Sequence, residues 1–530
     1  MMCARRKVRR ARTCLPLYSR RRAIALWRRR AAARALSAPS AFRRNRNVRY
    51  LTEGLPGTGG RIKVHPADFV VTEIPLYEPC GQGDHVYLYV EKQGIGSLEA
   101  AERIARALGR TRADVGMAGL KDAQALTRQW MSLERTDIDR AARLRLPNVR
   151  ILAAARHRNK LKIGHLAGNR FEVRIRGCGP DARNRAEAVL AVLAARGVPN
   201  RFDYQRFGRR GDNHLLGRAL VLGRHKEFCD LFLGRPRAQF DSPRLVRARQ
   251  LYDQGSWHEA VGLFAGSPDH QRVLAALVRT RDPARAAAAL PKQLARLLVG
   301  ALQSDIFNAV LERRLDSLDR VEAGDMAYIH PKLPSSGAAG PPMSEQRGGG
   351  AAAAGPPNAS RGGSAGPPTA SAAGPGAAGQ ETRRANSEAA AAPPPPSAPG
   401  EYTGGGRAGD ATAERSPRGG AVFRVEDAQA EAPRAERFQI SPSGPIVAHK
   451  VTLASGRAGE IERAVLAEKG IRPEDFHRVK FLRLRGDRRP LRVPIADAAV
   501  QPVGDDILVR FTLPSGAYAT VVLAEITRQA

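Results

Sequence analysis

An adjacent lysine and aspartate, Lys121 and Asp122, are the residues of this sequence whose types and positions best fit a catalytic site. Lys121 and Asp122 follow a short apolar run that ends at Leu120, and a second apolar run begins at Trp130. This pattern predicts a strand, an exposed loop and a second strand, with the pair at the tip of the first strand. A carboxylate beside an ammonium group stays ionised, because the opposite charge favours the charged form. An ionised, positioned carboxylate can act as a general base or as a nucleophile.

The elements that must position this loop are a mixture of strands and helices. Alternating or apolar runs predict strands at 61–65, 69–74, 85–91, 149–155, 161–163, 171–176, 507–513 and 518–523, the last two forming a hairpin. Helical spacing predicts helices at 97–108, 186–195, 294–315 and 460–469, within a mostly helical region over 201–320. Short glycine-containing connections favour antiparallel strands, so the sequence predicts an α+β fold.

Two segments have compositions that predict disorder. Residues 1–47 are rich in arginine and free of acidic residues, which fits a basic arm, an organellar transit peptide or an upstream stretch included by a wrong start codon. Residues 334–420 consist largely of Gly, Ala, Pro and Ser, and such a segment buries too little surface to offset its chain entropy. Strand-like runs at 326–330 and 421–426 flank it. We therefore expect an insertion at the tip of a hairpin.

The charge of the chain favours a polyanionic partner. The formal net charge is +36, and residues 1–50 contain sixteen Arg, one Lys and no acidic residue. Lys and Arg bind phosphates irrespective of nucleotide sequence, so RNA or DNA would suit this surface. The arginine bias of a GC-rich genome would give the same composition, and charge alone does not choose between these interpretations.

The cysteines and the hydropathy favour a soluble protein in a reducing compartment such as the cytoplasm. The five cysteines (Cys3, Cys14, Cys80, Cys178 and Cys229) contain no C-x-x-C pair, so neither a zinc site nor a disulfide framework is expected. No continuous apolar run reaches the length of a membrane span.

Four passages together resemble the tRNA pseudouridine synthase D (TruD) family. They are Asp68–Pro75 (DFVVTEIP), Gly119–Gln129 (GLKDAQALTRQ), Asn159–Phe171 (NKLKIGHLAGNRF) and Gly197–Gly208 (GVPNRFDYQRFG). Supporting stretches are Phe438–Pro445 and Phe511–Thr520. The passages follow the order of the family and cover the chain from Arg61 onward, apart from the low-complexity insertion.

The resemblance implies an enzyme that isomerises uridine to pseudouridine in tRNA, at position 13 in this family. It implies a pseudouridine-synthase-type catalytic domain with a mixed or antiparallel sheet, interrupted by a family-specific α+β insertion domain. The corresponding ranges are 48–200 and 478–530 for the catalytic domain and 201–477 for the insertion domain. No metal, no organic cofactor and a monomeric protein are also expected from the family.

The resemblance further implies roles for individual residues. By correspondence Asp122 is the catalytic aspartate, and the positions that match the rest of the family's site are Lys121, Asn169, Phe171 and Phe511. Together with Glu73, these four are the candidate substrate-binding residues. Aromatic side chains could stack on a base that has left the helix, and Asn169 could bind a uracil edge. Basic residues such as Lys160, Lys162, Arg206 and Arg209 would hold phosphates.

Each of these positions also has a structural interpretation. Phe171 and Phe511 lie in alternating strands, where aromatic residues are usually part of the core. Asn169 follows a glycine in a predicted turn, where Asn is common for backbone reasons. Glu73 could be buried and paired with a basic residue, or it could face solvent at the edge of the sheet. Lys121 is expected to be an electrostatic partner of Asp122 rather than a catalytic residue.

Two other functions remain open from the sequence. The first is a catalytically silent RNA-binding protein on the same scaffold. The second is a glycoside hydrolase with paired carboxylates, which the single carboxylate of the loop and the positive charge disfavour. Within the isomerase hypothesis, the carboxylate would either attack the sugar C1′ or remove the C2′ proton, and the sequence leaves both routes open.

Overall fold

The structure is a computed structural model that describes residues 49–331, 414–415 and 421–528. The predicted disorder of residues 1–47 and of most of 334–420 therefore lies outside the described residues. The strands are β1 Gly59–Arg61, β2 Phe69–Pro75, β3 His85–Gln93, β4 Gly116–Met117, β5 Leu126–Glu134, β6 Arg145–Leu146, β7 Val149–His157, β8 Leu166–Cys178, β9 Val198–Pro199, β10 Met326–Ile329, β11 Glu414–Arg415, β12 Ala421–Arg424, β13 Ile440–Ile446, β14 Asp487–Pro490, β15 Arg492–Val493, β16 Ala496–Val503 and β17 Asp506–Pro514. The α-helices are α1 Ser97–Ala107, α2 Ile138–Ala142, α3 Ala182–Arg196, α4 Asn213–Val221, α5 His225–Leu233, α6 Pro243–Asp253, α7 Trp257–Leu263, α8 Pro268–Thr280, α9 Pro283–Ala288, α10 Lys292–Arg313, α11 Ala428–Glu436, α12 Gly456–Glu468 and α13 Ala519–Thr527.

A ten-stranded sheet forms the larger β-layer. Its strands run in the order β16-β17-β8-β2-β5-β3-β7-β6, with β1 added to β8 and β4 added to β5. Strands β2 and β5 are parallel and the other pairs are antiparallel, so the predicted α+β class with a mixed sheet is confirmed. Strand β8 lies between β2 and β17 over most of its length, which brings the N-terminal and C-terminal parts of the chain into one sheet.

Helices cover this sheet because its strands present apolar side chains. Helices α3 and α13 share a core with strands β2, β8 and β17, to which Val189 and Val522 contribute. Helix α1 packs with strands β3 and β5, and its Ile104 is fully buried there. Removing this apolar surface from water is the main favourable contribution to folding, at about 25 cal/mol per Å².

The region after β9 is mostly helical, as predicted. Helices α4 to α10 and α12 share one large core with β13 and with residues 476–491. Helix α10 is long and apolar enough to cross a membrane by length and composition, but 67% of its most apolar window is buried within the protein. This degree of burial is typical of a helix in the core of a folded domain.

A second sheet has the order β11-β12-β10-β13-β14. Strands β10 and β12 pair antiparallel, with Met326 opposite Arg424, which confirms that the strands flanking the low-complexity insertion are neighbours. Within the segment 334–420 that we predicted to be disordered, the backbone of β11 pairs with β12, so the prediction is wrong for Glu414 and Arg415.

Three predicted strands are wrong. Of residues 61–65, Arg61 alone lies in a strand, and Lys63 has a φ of 57°, outside the strand region. Residues 519–527 form helix α13, and β17 pairs instead with β16 and β8. The buried Ala519, Val522, Leu523 and Ile526 have helical spacing, and the short run of β-branched residues concealed it. Residues 161–163 lead into a turn at Gly164, whose φ of 94° takes the backbone out of the strand region.

Candidate active site

The loop that carries Asp122 is fixed by buried polar side chains. The Ser97 hydroxyl donates to Gln129 Oε1 at 2.6 Å and accepts from the Lys121 backbone N–H at 2.8 Å. The Gln129 side-chain N–H donates to the Gly119 carbonyl at 3.2 Å. The start of helix α1 and strand β5 therefore hold residues 119–121 from two sides, and this restricts the direction in which Asp122 points.

The Asp122 carboxylate is partly exposed and ionised. Its side chain is 33% exposed, one oxygen is paired with the Lys63 ammonium, and the other accepts from the Gln124 N–H at 3.0 Å. Burial raises the pKa of Asp122, but the Lys63 hydrogen bond, the Gln124 N–H and the charges of Lys63 and Lys92 lower it, and the net pKa lies below the usual value. A charged carboxylate that solvent and substrate can reach is thus available at neutral pH.

Lys63 connects this carboxylate to the aromatic residues of the sheet. Its ammonium lies 4.4 Å from the centre of the Phe69 ring, and Phe69 makes an edge contact with Phe171 at 6.3 Å between ring centres. Lys63 was not among the residues predicted from the sequence, since its partner is 59 residues away. The only local signal was a lysine between two apolar residues of an alternating run.

Replacing Lys63 with Met tests this pairing through the pH dependence of turnover. The change removes the positive charge that lowers the pKa of Asp122, and the pKa of Asp122 therefore rises. On acidification, the variant should lose activity at a higher pH than the unsubstituted protein does. We expect kcat to fall about tenfold at pH 7.5 through loss of orientation, and to fall further at pH 5.

Lys63→Arg is the matched control, because it keeps the charge next to the carboxylate. Single-turnover rates between pH 5 and 8 measure both effects. Identical pH profiles for Lys63→Met and the unsubstituted protein would contradict the pairing.

Lys92 is a second basic residue that the sequence analysis missed. Its buried ammonium donates to the carbonyls of Ile95 and Asp122, both at 2.8 Å. Burial lowers the pKa of Lys92 to about 8, against an opposing effect of the nearby Asp122 charge. Lys92 therefore holds the backbone of the loop at Asp122 and adds positive charge behind it. The signal in the sequence was a lysine at an inward position of an otherwise apolar strand.

Glu73, Lys121 and Asn169 form a buried polar group beside Asp122. Lys121 Nζ lies 2.8 Å from Glu73 Oε2 and donates to Asn169 Oδ1, also at 2.8 Å. Glu73 and Asn169 are opposite each other on β2 and β8, and the Trp130 N–H donates to Glu73 Oε1 at 3.3 Å. Burial raises the pKa of Glu73, whereas Lys121 and the Trp130 N–H lower it; burial has the larger effect.

This group corrects the expectation that Lys121 is the electrostatic partner of Asp122. The Lys121 side chain is 6% exposed and turns inward to Glu73, while Asp122 turns outward to Lys63. The two side chains of this loop point to different sides, so sequence neighbours need not be partners. The buried pairing role that we considered for Glu73 is the one the structure shows. Asn169 lies within β8, not in the turn that we considered.

Phe171 and Phe511 are opposite each other on β8 and β17. Their rings stack with 5.3 Å between centres and 29° between planes. Phe511 is 0% exposed, so in this arrangement it supports Phe171 and does not offer its own face to a base, which corrects the expectation of direct stacking. Phe171 is 7% exposed and lies between Phe511 and Phe69. The core interpretation holds for both rings.

The basic residues that we expected to hold phosphates divide into two groups. Lys162 and Arg209 are exposed. Lys160 donates to the Ala113 carbonyl at 2.9 Å, and Arg206 donates to Ser304 at 3.2 Å, so these two have structural contacts within the protein. In the described part of the chain, no group of three or more His, Cys, Asp or Glu residues has the geometry to hold a metal ion.

The fold matches that of a solved structure. The crystal structure of a Methanosarcina mazei protein assigned to tRNA pseudouridine synthase D superimposes with a TM-score of 0.65, covering 91% of this chain and 96% of that one, at 22% identity. The mixed sheet and the helices that cover it thus have the fold of that structure.

The sequence comparisons define the family. The tRNA pseudouridine synthase D (TruD) family model matches residues 45–340 and 406–526. The tRNA pseudouridine synthase D of Geobacter metallireducens is 40% identical over 91% of this chain and 98% of its own length. The tRNA pseudouridine synthase D of Thermus thermophilus is 32% identical over 90% of this chain and 92% of its own length. This chain belongs to the tRNA pseudouridine synthase D family.

Proposed function

We propose that this protein isomerises uridine to pseudouridine in tRNA, with Asp122 as the catalytic carboxylate. Membership of the family supports the assignment of this reaction. The position of Asp122 in the structure supports its assignment as the catalytic carboxylate. In the reaction the bond between uracil N1 and C1′ breaks, the base turns, and a bond forms between C5 and C1′. The C5 proton is then lost and N1 gains a proton, so the product is an isomer of the substrate.

Asp122 suits both possible first steps. As an ionised carboxylate, it can form a bond to C1′ as the uracil leaves, or it can remove the C2′ proton to give a glycal. Lys63 orients the carboxylate for either route, and Lys92 and Ser97 fix the backbone on which it stands. The site contains one carboxylate that is reachable and one, Glu73, that is 1% exposed, which disfavours the paired-carboxylate hydrolase.

The polar group behind Asp122 supports a role in holding uracil. Lys121 can only donate, so it fixes Asn169 Oδ1 as an acceptor and leaves the amide N–H₂ end of Asn169 as a donor to a uracil carbonyl. Phe171 lies on the same side of β8 two residues away, and its packing between Phe511 and Phe69 supports the strand that carries Asn169.

The reachable, ionised Asp122 is the single observation that carries this proposal. Mapping pseudouridine in tRNA incubated with and without the purified protein tests it. We expect one modified uridine, at position 13 if the family pattern applies. Binding of tRNA with no new pseudouridine would instead support the silent RNA-binding protein.

Three further features belong to this proposal. We place the action of the protein in the cytoplasm and expect it to act as a monomer. We also assign residues 48–200 and 478–530 to the catalytic domain and 201–477 to an insertion domain. The pairing of β8 with β17 supports joining the first and last ranges, and the shared core of helices α4 to α10 supports an insertion domain. That core also includes Val479, Leu482 and Leu491, so the packing extends past residue 477.

A further inference from the structure

The most exposed large hydrophobic residues of the described part of the chain lie in the loop of Asp122 and in two segments joined to it. Nine large hydrophobic side chains are exposed, and the three with the greatest exposed fractions are Ile163 at 74%, Leu120 at 62% and Leu76 at 60%. We call these three residues the apolar rim. Single exposed hydrophobic residues are normal on protein surfaces, but several on adjoining segments are typical of an interaction site.

Hydrogen bonds join the three segments that carry the apolar rim. The Gly164 N–H donates to the Ala118 carbonyl at 2.8 Å, which brings the segment of Ile163 against the segment of Leu120. The Tyr77 hydroxyl and His165 Nδ1 are hydrogen-bonded at 2.6 Å, which brings the segment of Leu76 against that of Ile163. Leu120 lies two residues before Asp122 in the same loop.

The surroundings of the rim favour an RNA partner over a protein. Arg158 and Lys162 are exposed on the same segment as Ile163, so positive charge for a phosphate backbone lies next to the apolar side chains. The rim is also continuous with the site at which the uridine must react. A uridine stacked within a helix cannot reach a carboxylate on a folded protein, and turning it out costs stacking energy.

We propose that the apolar rim contacts the nucleobases next to the target uridine, and that Leu120 and Ile163 occupy the space this uridine leaves when it turns out of the stack. Apolar side chains inserted between base steps offset part of the cost of unstacking. This inference rests on the proposed function and adds the group that stabilises the extruded state of the substrate.

The test uses Leu120→Ala, Ile163→Ala and the double variant of the full chain. With tRNA as substrate, we expect the single-turnover rate to fall about tenfold for each single variant and further for the double variant. Because these side chains are exposed, thermal unfolding should be unchanged. Leu297→Ala and Phe481→Ala are matched controls on the helical region, with side chains of 44% and 56% exposure, and should keep the original rate.

A second measurement separates extrusion from chemistry. A tRNA with 2-aminopurine beside the target uridine should become more fluorescent when it binds the Asp122→Asn protein, which keeps the rim. Adding Leu120→Ala and Ile163→Ala to the Asp122→Asn protein should reduce this fluorescence increase at saturating protein. Adding Ile163→Leu instead of these two substitutions should leave most of the increase in place.

Rates and fluorescence that do not differ between the rim variants and the controls would overturn the inference. A slower rate with an unchanged fluorescence increase would also overturn the inference. So would rim variants that bind and modify tRNA at the original rate but no longer bind a protein partner. These outcomes are distinct from failure of the proposed function, in which the unsubstituted protein itself would make no pseudouridine.

Discussion

An Asp122→Asn variant is expected to make no measurable pseudouridine while it keeps its fold and most of its affinity for tRNA. The amide has nearly the same shape as the carboxylate and can still accept from the Gln124 N–H. It carries no charge, so it neither attacks C1′ nor removes the C2′ proton. We expect the single-turnover rate to fall by about 10³-fold or more, as is usual when a catalytic base or nucleophile is removed.

The control for this change is Asp137→Asn. Asp137 caps helix α2 by accepting from the N–H groups of Asp139 and Arg140, and Asn caps helices about as well. This variant loses a carboxylate of the same type outside the site and should keep its activity. Pseudouridine formation by Asp122→Asn at a rate near that of the control would remove Asp122 from the mechanism.

The second large effect is expected on stability, from Lys121→Met. Glu73 and Lys121 are 1% and 6% exposed, so the substitution leaves a carboxylate buried without its counter-charge. Breaking a buried ion pair by removal of one partner costs about 3–5 kcal/mol. The free energy of unfolding, measured by urea denaturation at pH 8, should fall by that amount.

The pH dependence of this loss identifies its cause. Burial already raises the pKa of Glu73, and removal of Lys121 raises it further. A folded-state pKa above the unfolded value means that the folded protein binds the proton more tightly, so this group's contribution to stability increases as the pH falls. The destabilisation of Lys121→Met should therefore be smaller at pH 5 than at pH 8.

A double-mutant cycle gives the matched comparison. Glu73→Gln removes the buried negative charge and retains an acceptor for the Trp130 N–H, so Glu73→Gln combined with Lys121→Met should be more stable at pH 8 than Lys121→Met alone. Additive effects of the two substitutions would contradict the pairing, as would a loss of stability by Lys121→Met that is the same at both pH values.

Local patterns predicted most of the large sheet and failed where the helical and strand patterns overlap. Strands β2, β3, β5 and β8 were predicted because their apolar residues have a strand pattern that tertiary packing reinforces. Helix α13 was predicted as a strand, because a short run of Val, Ala and Leu fits either structure until its neighbours are known. The apolar surface of β17 and α3 decides in favour of the helix.

The sequence by itself determined the family and, through it, the reaction and the loop that presents Asp122, because motifs and periodicity are local properties of the chain. Only the tertiary structure decided which charges meet: Lys63 pairs with Asp122, and Lys121 pairs with Glu73 and Asn169. It also decided that Phe511 stacks on Phe171 and that hydrogen bonds join the three segments that carry the apolar rim. These contacts join residues 40 or more positions apart, and the register of β2, β8 and β17 sets several of them. No sequence-local property specifies that register, because it results from the packing of the whole sheet.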